Sequence, residues 1–235
     1  RNARFGGDMP LTIGSARLEA QGLLRKGHSS VTGSLMGQGI GQGQMFLGRL
    51  AANARLTDGQ GQVTASLAGR RGSRFDLQLL GDVAPNRLAL AAQGQYAGQR
   101  IMLPRRAVLT RETGGWRLAP TQVDFAGGRG IASGLLGNEA SEVHLALANM
   151  PLSLADIAVA DLGLGGKISG LIDYRQARRA PPTGDFKVRI AGLTRSGLVL
   201  TSRPIDAALT GSLMADRLEM RAVVSEGGQV RGRLQ

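Results

Sequence analysis

A chain of 235 residues with no cysteine excludes disulfide scaffolds, thiol chemistry and cysteine-ligated metals. Its 36 glycines have no three-residue period, which excludes collagen and points to tight turns and close backbone approaches. The net charge of +12 is carried mainly by scattered Arg, with local clusters only at Arg70-Arg71, Arg105-Arg106 and Arg178-Arg179. No helix or strand collects that charge on one stripe, so nucleic acid is not expected as a partner.

From the N-terminal end, the stretch Gly37 to Gly43 reads GQGIGQG, a flexible or bulged joint. Then Leu50, Ala52, Ala54 and Leu56 alternate with Arg49, Asn53 and Arg55. A turn over Thr57-Asp58-Gly59-Gln60-Gly61 leads to Val63, Ala65 and Leu67, set against Gln62, Thr64 and Ser66. After Arg71-Gly72 come Phe75, Leu77 and Leu79, and after Pro85-Asn86 come Leu88, Leu90, Ala92, Gly94 and Tyr96. Period two predicts strands, and Asp-Gly, Arg-Gly and Pro-Asn predict the turns between them. One face of such strands is dry and the other wet, as in an antiparallel sheet with a single apolar surface.

The second half repeats the pattern. Val143, Leu145 and Leu147 alternate with Glu142 and His144. Ile168, Gly170, Ile172 and Tyr174 alternate with Lys167, Ser169 and Asp173. Phe186, Val188 and Ile190 stand against Asp185, Lys187 and Arg189. Ile205, Ala207 and Leu209 follow, then Leu218, Met220, Ala222 and Val224, and last Val230, Gly232 and Leu234. Residues 151–161 break the period. Ser153 as cap, Asp156 at the N3 position and a stripe of Leu154, Ile157 and Ala158 predict one short helix near 152–160 that packs at the end of a sheet. Ala177 to Gly184, ARRAPPTG, holds two prolines and predicts an exposed loop. Neither glycine-rich nor proline-rich stretch reads as an interdomain linker, so the chain is treated as one continuous unit. It opens at Arg1 in mid-pattern and closes at Gln235 inside a strand-like phrase, and is expected to be a fragment, 1–235, of a larger β-rich domain.

Residues for chemistry are sparse. His28 sits in a Gly/Ser-rich turn and His144 on the wet side of a strand, and neither has a ligand-spaced partner. Ser34, Ser66 and Ser133 lie outside any G-x-S-x-G elbow. The carboxylates are single and spread along turns and wet faces. Glycosidase work by two of them would need a polar cleft where the pattern supplies a dry face. No enzyme, metal or cofactor is expected.

The second half resembles the TamB family, the translocation and assembly module subunit of diderm bacteria, within the AsmA-like bridge-like lipid-transfer superfamily. The resemblance is carried by Gly115-Trp116-Arg117-Leu118-Ala119-Pro120, then Gly130-Ile131-Ala132-Ser133-Gly134. It continues through Val143 to Leu147, the NMPLSLADI stretch from Asn149 to Ile157, Leu164 to Gly170, Pro182 and Gly184-Asp185-Phe186. Order and spacing match over roughly residues 88–190, and the flanks match in style.

That resemblance implies an all-β fold: an elongated antiparallel β-sheet curled into an open groove, taco-like. It implies the periplasmic part of an inner-membrane-anchored protein, with phospholipid acyl chains as cargo and an Omp85-type, TamA-like outer-membrane partner. The task implied is phospholipid transport to, and biogenesis of, the outer membrane. A scaffold that guides outer-membrane or autotransporter proteins by β-augmentation is the alternative. A surface-exposed β-solenoid with a packed interior is a third. On the first reading Leu67, Leu77, Leu90, Leu145, Ile168, Ile172, Val188 and Ile190 line the groove, and none reacts.

Overall fold

Alternation of aliphatic and polar residues builds strands throughout, and the turn dipeptides fold each strand back on the one before. The computed structural model describes residues 3–5, 11–25, 27–137, 139–157, 159, 162–178, 180–195, 203–215 and 217–234. They form two units, Arg1–Val108 and Leu109–Gln235. Ala158 and Arg179 lie outside the described residues.

The first unit is an antiparallel meander. Its strands are β1 (Ala3–Phe5), β2 (Leu11–Arg25), β3 (His28–Gln42), β4 (Met45–Thr57), β5 (Gln60–Arg71), β6 (Ser73–Ala84), β7 (Arg87–Tyr96) and β8 (Gln99–Met102). Each pairs antiparallel with the next. Asp58-Gly59 and Pro85-Asn86 fall between paired strands, as expected, while Arg71 ends β5 and Gly72 alone makes the turn into β6. At Asp58-Gly59 both central residues have positive φ, 51° and 75°. That is the backbone a two-residue hairpin needs to match the strand twist. The Asp58 carboxylate also accepts from the Ser29 backbone N–H at 2.6 Å and lies 3.0 Å from His28 Nδ1, tying two neighbouring turns. The GQGIGQG stretch belongs almost wholly to β3. Gly39 takes a left-handed backbone, φ 64°, and is unpaired on both sides with no shift of register, and Gly43, φ 56°, opens the turn that follows, so the stretch is an irregular point within a strand rather than a joint.

β9 (Ala107–Glu112) begins at the unit boundary. The second unit continues with β10 (Gly115–Phe125), β11 (Gly128–Gly137), β12 (Ala140–Pro151), a 3-10 helix (Leu152–Ile157), β13 (Leu164–Ala177), β14 (Thr183–Arg195), β15 (Ile205–Met214), β16 (Arg217–Glu226) and β17 (Gln229–Leu234). Consecutive strands pair antiparallel here too. The ARRAPPTG stretch is the β13–β14 loop. The predicted helix exists but is a six-residue 3-10 turn, too short for an α-helical stripe. Leu152 is its buried residue, while Ile157 is exposed. Asp156 accepts from the Gly163 N–H at 3.3 Å, so its side chain ties the loop that follows.

A small packed cluster of the second unit lies beside this helix, which rests on β13. Phe125, Met150 and Leu152 are buried, and the Met150 methyl lies directly over Gly130, where a Cβ would sit 3.1 Å from it. Elsewhere each sheet is one layer thick. The chain exposes 15945 Å². A compact globule of this mass exposes about 10,000 Å², and two compact bodies of half the mass about 12,000 Å² together. The excess is what single-layer sheets produce.

Candidate functional site: an apolar sheet face

In an antiparallel pair, directly opposed residues point to the same face. In the first unit this places Leu50, Leu67, Leu77 and Gly94 in one row across β4 to β7. Two rungs along, Ala54, Val63, Gly81 and Leu90 form a second row on the same face. Leu35, Ala52, Ala65, Leu79 and Ala92 fill the rung between. The face continues onto β2 and β3 with Leu18 and Val31, and there it lies open: Leu18 is 72% exposed.

The second unit has the same construction with larger side chains. One row runs Ala132, Leu145, Ile172, Phe186, Gly211 and Met220. The next runs Gly130, Leu147, Gly170, Val188, Leu209 and Ala222. A third runs Met150, Ile168, Ile190, Ala207 and Val224. The glycines in these rows leave room for large neighbours. The Phe186 ring covers Gly211, where an added Cβ would come within 2.6 Å of it. Coverage falls off toward the last strands, and Leu218 and Leu234 are exposed.

All eight residues expected to line the apolar path fall on these faces. Leu67, Leu77 and Leu90 share the face of the first unit. Leu145, Ile168, Ile172, Val188 and Ile190 occupy three adjacent rows of the second. Every one is half-buried. A core residue under a second layer would be sealed, and a residue on a bare sheet without large neighbours would be open. Half-burial means that the aliphatic chains cover one another and leave their outer surface free. Two solvent-accessible depressions open beside these rows. One of about 560 Å³ in the first unit is lined by Asn53, Thr64, Ser66, Gln78 and Gln93, and one of about 1140 Å³ in the second by Asp173, Asp185, Lys187, Glu219 and Arg221. Both are mixed in character: the first is also lined by Leu79, Leu80, Met102 and Leu103, and the second by Phe186, Gly211 and Met220 of an aliphatic row.

The wet face of the second unit also gathers a charge cluster that the sequence pattern did not reveal. His144 lies opposite Asp173, its Nδ1 2.5 Å from Oδ1, and its Nε2 lies 3.2 Å from Glu142. Arg175 donates to the same Glu142 at 3.0 Å, and Arg117 pairs with Glu112 at 2.8 Å and reaches Glu142 at 3.8 Å. The Asp173 carboxylate, against some desolvation and with help from Glu142, holds His144 above the ordinary histidine value. Desolvation pushes Glu142 up, but Arg175 and His144 together outweigh it and hold it low. In the first unit His28, with the Ser29 N–H, holds Asp58 low. Among the described residues no three His, Asp or Glu side chains converge as a metal site.

No family model, curated protein or solved structure matches the chain. The geometry of the two faces therefore carries the functional reading.

Proposed function

We propose that this chain is a module of a TamB-like, periplasm-spanning protein whose apolar sheet face carries phospholipid acyl chains toward the outer membrane. In this reading an Omp85-type, TamA-like protein receives the cargo, and the anchor in the inner membrane lies on another part of the protein. The observation that carries it is the set of in-register aliphatic rows, half-covered and without a charged residue from Leu145 and Ile172 to Val188 and Ile190.

The energetics suit the task. A tail in water costs about 0.8 kcal/mol per CH₂, so roughly fifteen methylenes face a barrier near 12 kcal/mol across an aqueous gap. A surface of Leu, Ile, Val and Ala lowers that barrier at each rung. It offers no polar anchor on the way, which favours sliding over tight holding. Nothing in this role requires a reacting side chain.

The test is the lipid carried by the purified chain. Organic extraction of the wild type is expected to yield phospholipid, and Val188→Arg, which sets a cation in the middle row, is expected to cut the yield about tenfold with the β-sheet circular-dichroism signal kept. A wild type free of lipid that instead retains unfolded outer-membrane protein along its strand edges would replace this reading with the scaffold.

A further inference from the structure

The positive charge of the chain is not evenly spread. Arg1–Val108 holds fourteen Lys and Arg against five Asp and Glu, so it carries +9 of the total +12. The register then sorts this charge by face. Arg49, Arg55, Arg70, Arg74, Arg87 and Arg100 all fall on the rows opposite the aliphatic ones, and all are exposed. Among the described residues the ion pairs of this unit are Arg17–Glu19, His28–Asp58 and Arg106–Asp82, so none of those six arginines is in an ion pair, and Asp76, in the row of Arg49 and Arg100, stands on the same face.

Two of them are placed at a cost. Arg70 and Arg74 stand directly opposite one another beside the Gly72 turn. Like charges in that position repel, and nothing in the fold of the turn requires them. An anion held between them removes the repulsion. The same face carries protruding apolar tips. Phe46 is the register partner of Arg70 on its other side and is 45% exposed, and Met36, beside Arg17, is 61% exposed. Arginines interleaved with exposed apolar side chains fit a phospholipid surface, where cations meet phosphates and apolar tips enter the headgroup boundary. A single-stranded nucleic acid would call for a run of stacking rings, and Phe46 is the one aromatic side chain on this face among the described residues.

We infer that the wet face of the first unit docks on an anionic phospholipid bilayer, with Arg70 and Arg74 at the lipid phosphates and Phe46 in the headgroup layer. This surface is opposite the aliphatic rows and stands whether or not those rows carry acyl chains.

Co-sedimentation of the whole chain with vesicles tests it. Vesicles of phosphatidylglycerol and phosphatidylethanolamine are expected to bind the chain, vesicles of phosphatidylcholine alone much less, and added salt to weaken the binding. Arg70→Gln with Arg74→Gln is expected to lower affinity for the anionic vesicles about 25-fold, each cationic side chain near the surface being worth about fivefold. Phe46→Ser is expected to weaken what binding survives at high salt. Lys187→Gln with Arg189→Gln in the second unit is expected to leave vesicle binding within about twofold. Three results overturn the inference: no preference for anionic vesicles, an equal loss from the Lys187/Arg189 pair, or tighter binding to a single-stranded oligonucleotide that depends on Arg70 and Arg74 but not on Phe46.

Discussion

His144 and Asp173 face each other across β12 and β13 with Nδ1 and Oδ1 2.5 Å apart, and Glu142 closes on the other ring nitrogen at 3.2 Å. The imidazolium is the form that donates to both carboxylates. Other groups facing the ring are Ser133, its register partner on β11, and Arg175, which shares Glu142 from β13. Arg117 on β10 reaches the same carboxylate.

A pH dependence follows from the directions of these shifts. The raised value of His144 gives a stabilisation complete below its unfolded value near 6.5, and lost as pH rises through the higher folded value. The lowered value of Glu142 gives a stabilisation present above 4.5, and lost as pH falls through the depressed folded value. The second unit is therefore expected to be most stable between those limits. Thermal unfolding followed from pH 5 to pH 8 checks this against His144→Gln, the range being chosen to bracket the usual histidine titration near ~6.5. The wild type should lose midpoint temperature as pH rises and the variant should lack that part of the loss. Parallel curves for the two proteins would refute the assignment.

A second expectation concerns Gly170, in the middle of an aliphatic row with φ 143°. A Cβ there would stand 2.1 Å from the Lys187 carbonyl oxygen, which belongs to the paired strand and cannot withdraw. Gly170→Ala should lower stability by about 2–3 kcal/mol. A denaturant midpoint unchanged from wild type would show that β13 and β14 are not paired as described.

The turn from β10 to β11 offers a change in the other direction. Ala126 holds a left-handed backbone, φ 48°, ahead of Gly127 at φ 81°. An alanine in that conformation costs about 1–2 kcal/mol, and asparagine tolerates it better. Ala126→Asn should raise the denaturant midpoint by the equivalent of up to ~1 kcal/mol. A lower midpoint would mean that the hairpin uses another turn.

The strands and most turns were legible because their signals are local. Phe186, Val188 and Ile190 against Lys187 and Arg189 state a strand and its two faces within five residues, and Asp58-Gly59 states a turn within two. Register is not local. His144 and Asp173 are 29 residues apart, with the 3-10 helix between them and a shift in pairing between Leu147 and Met150. Their meeting depends on the length of that irregular stretch. The division at Val108 was equally silent, because β9 (Ala107–Glu112) crosses it without proline or glycine. The charge of the first unit looked scattered along the chain, since cations four to fifteen residues apart join one surface only when β4 to β8 are laid side by side.

Site-specific photocrosslinking measures the central claim most directly. Ile172 and Val188 lie on the aliphatic rows, and Lys187 and Arg221 on the rows behind them. With a photoreactive side chain introduced at each position in turn, phospholipid should be labelled several-fold more from Ile172 and Val188 than from Lys187 and Arg221. Equal labelling from both faces would contradict the account.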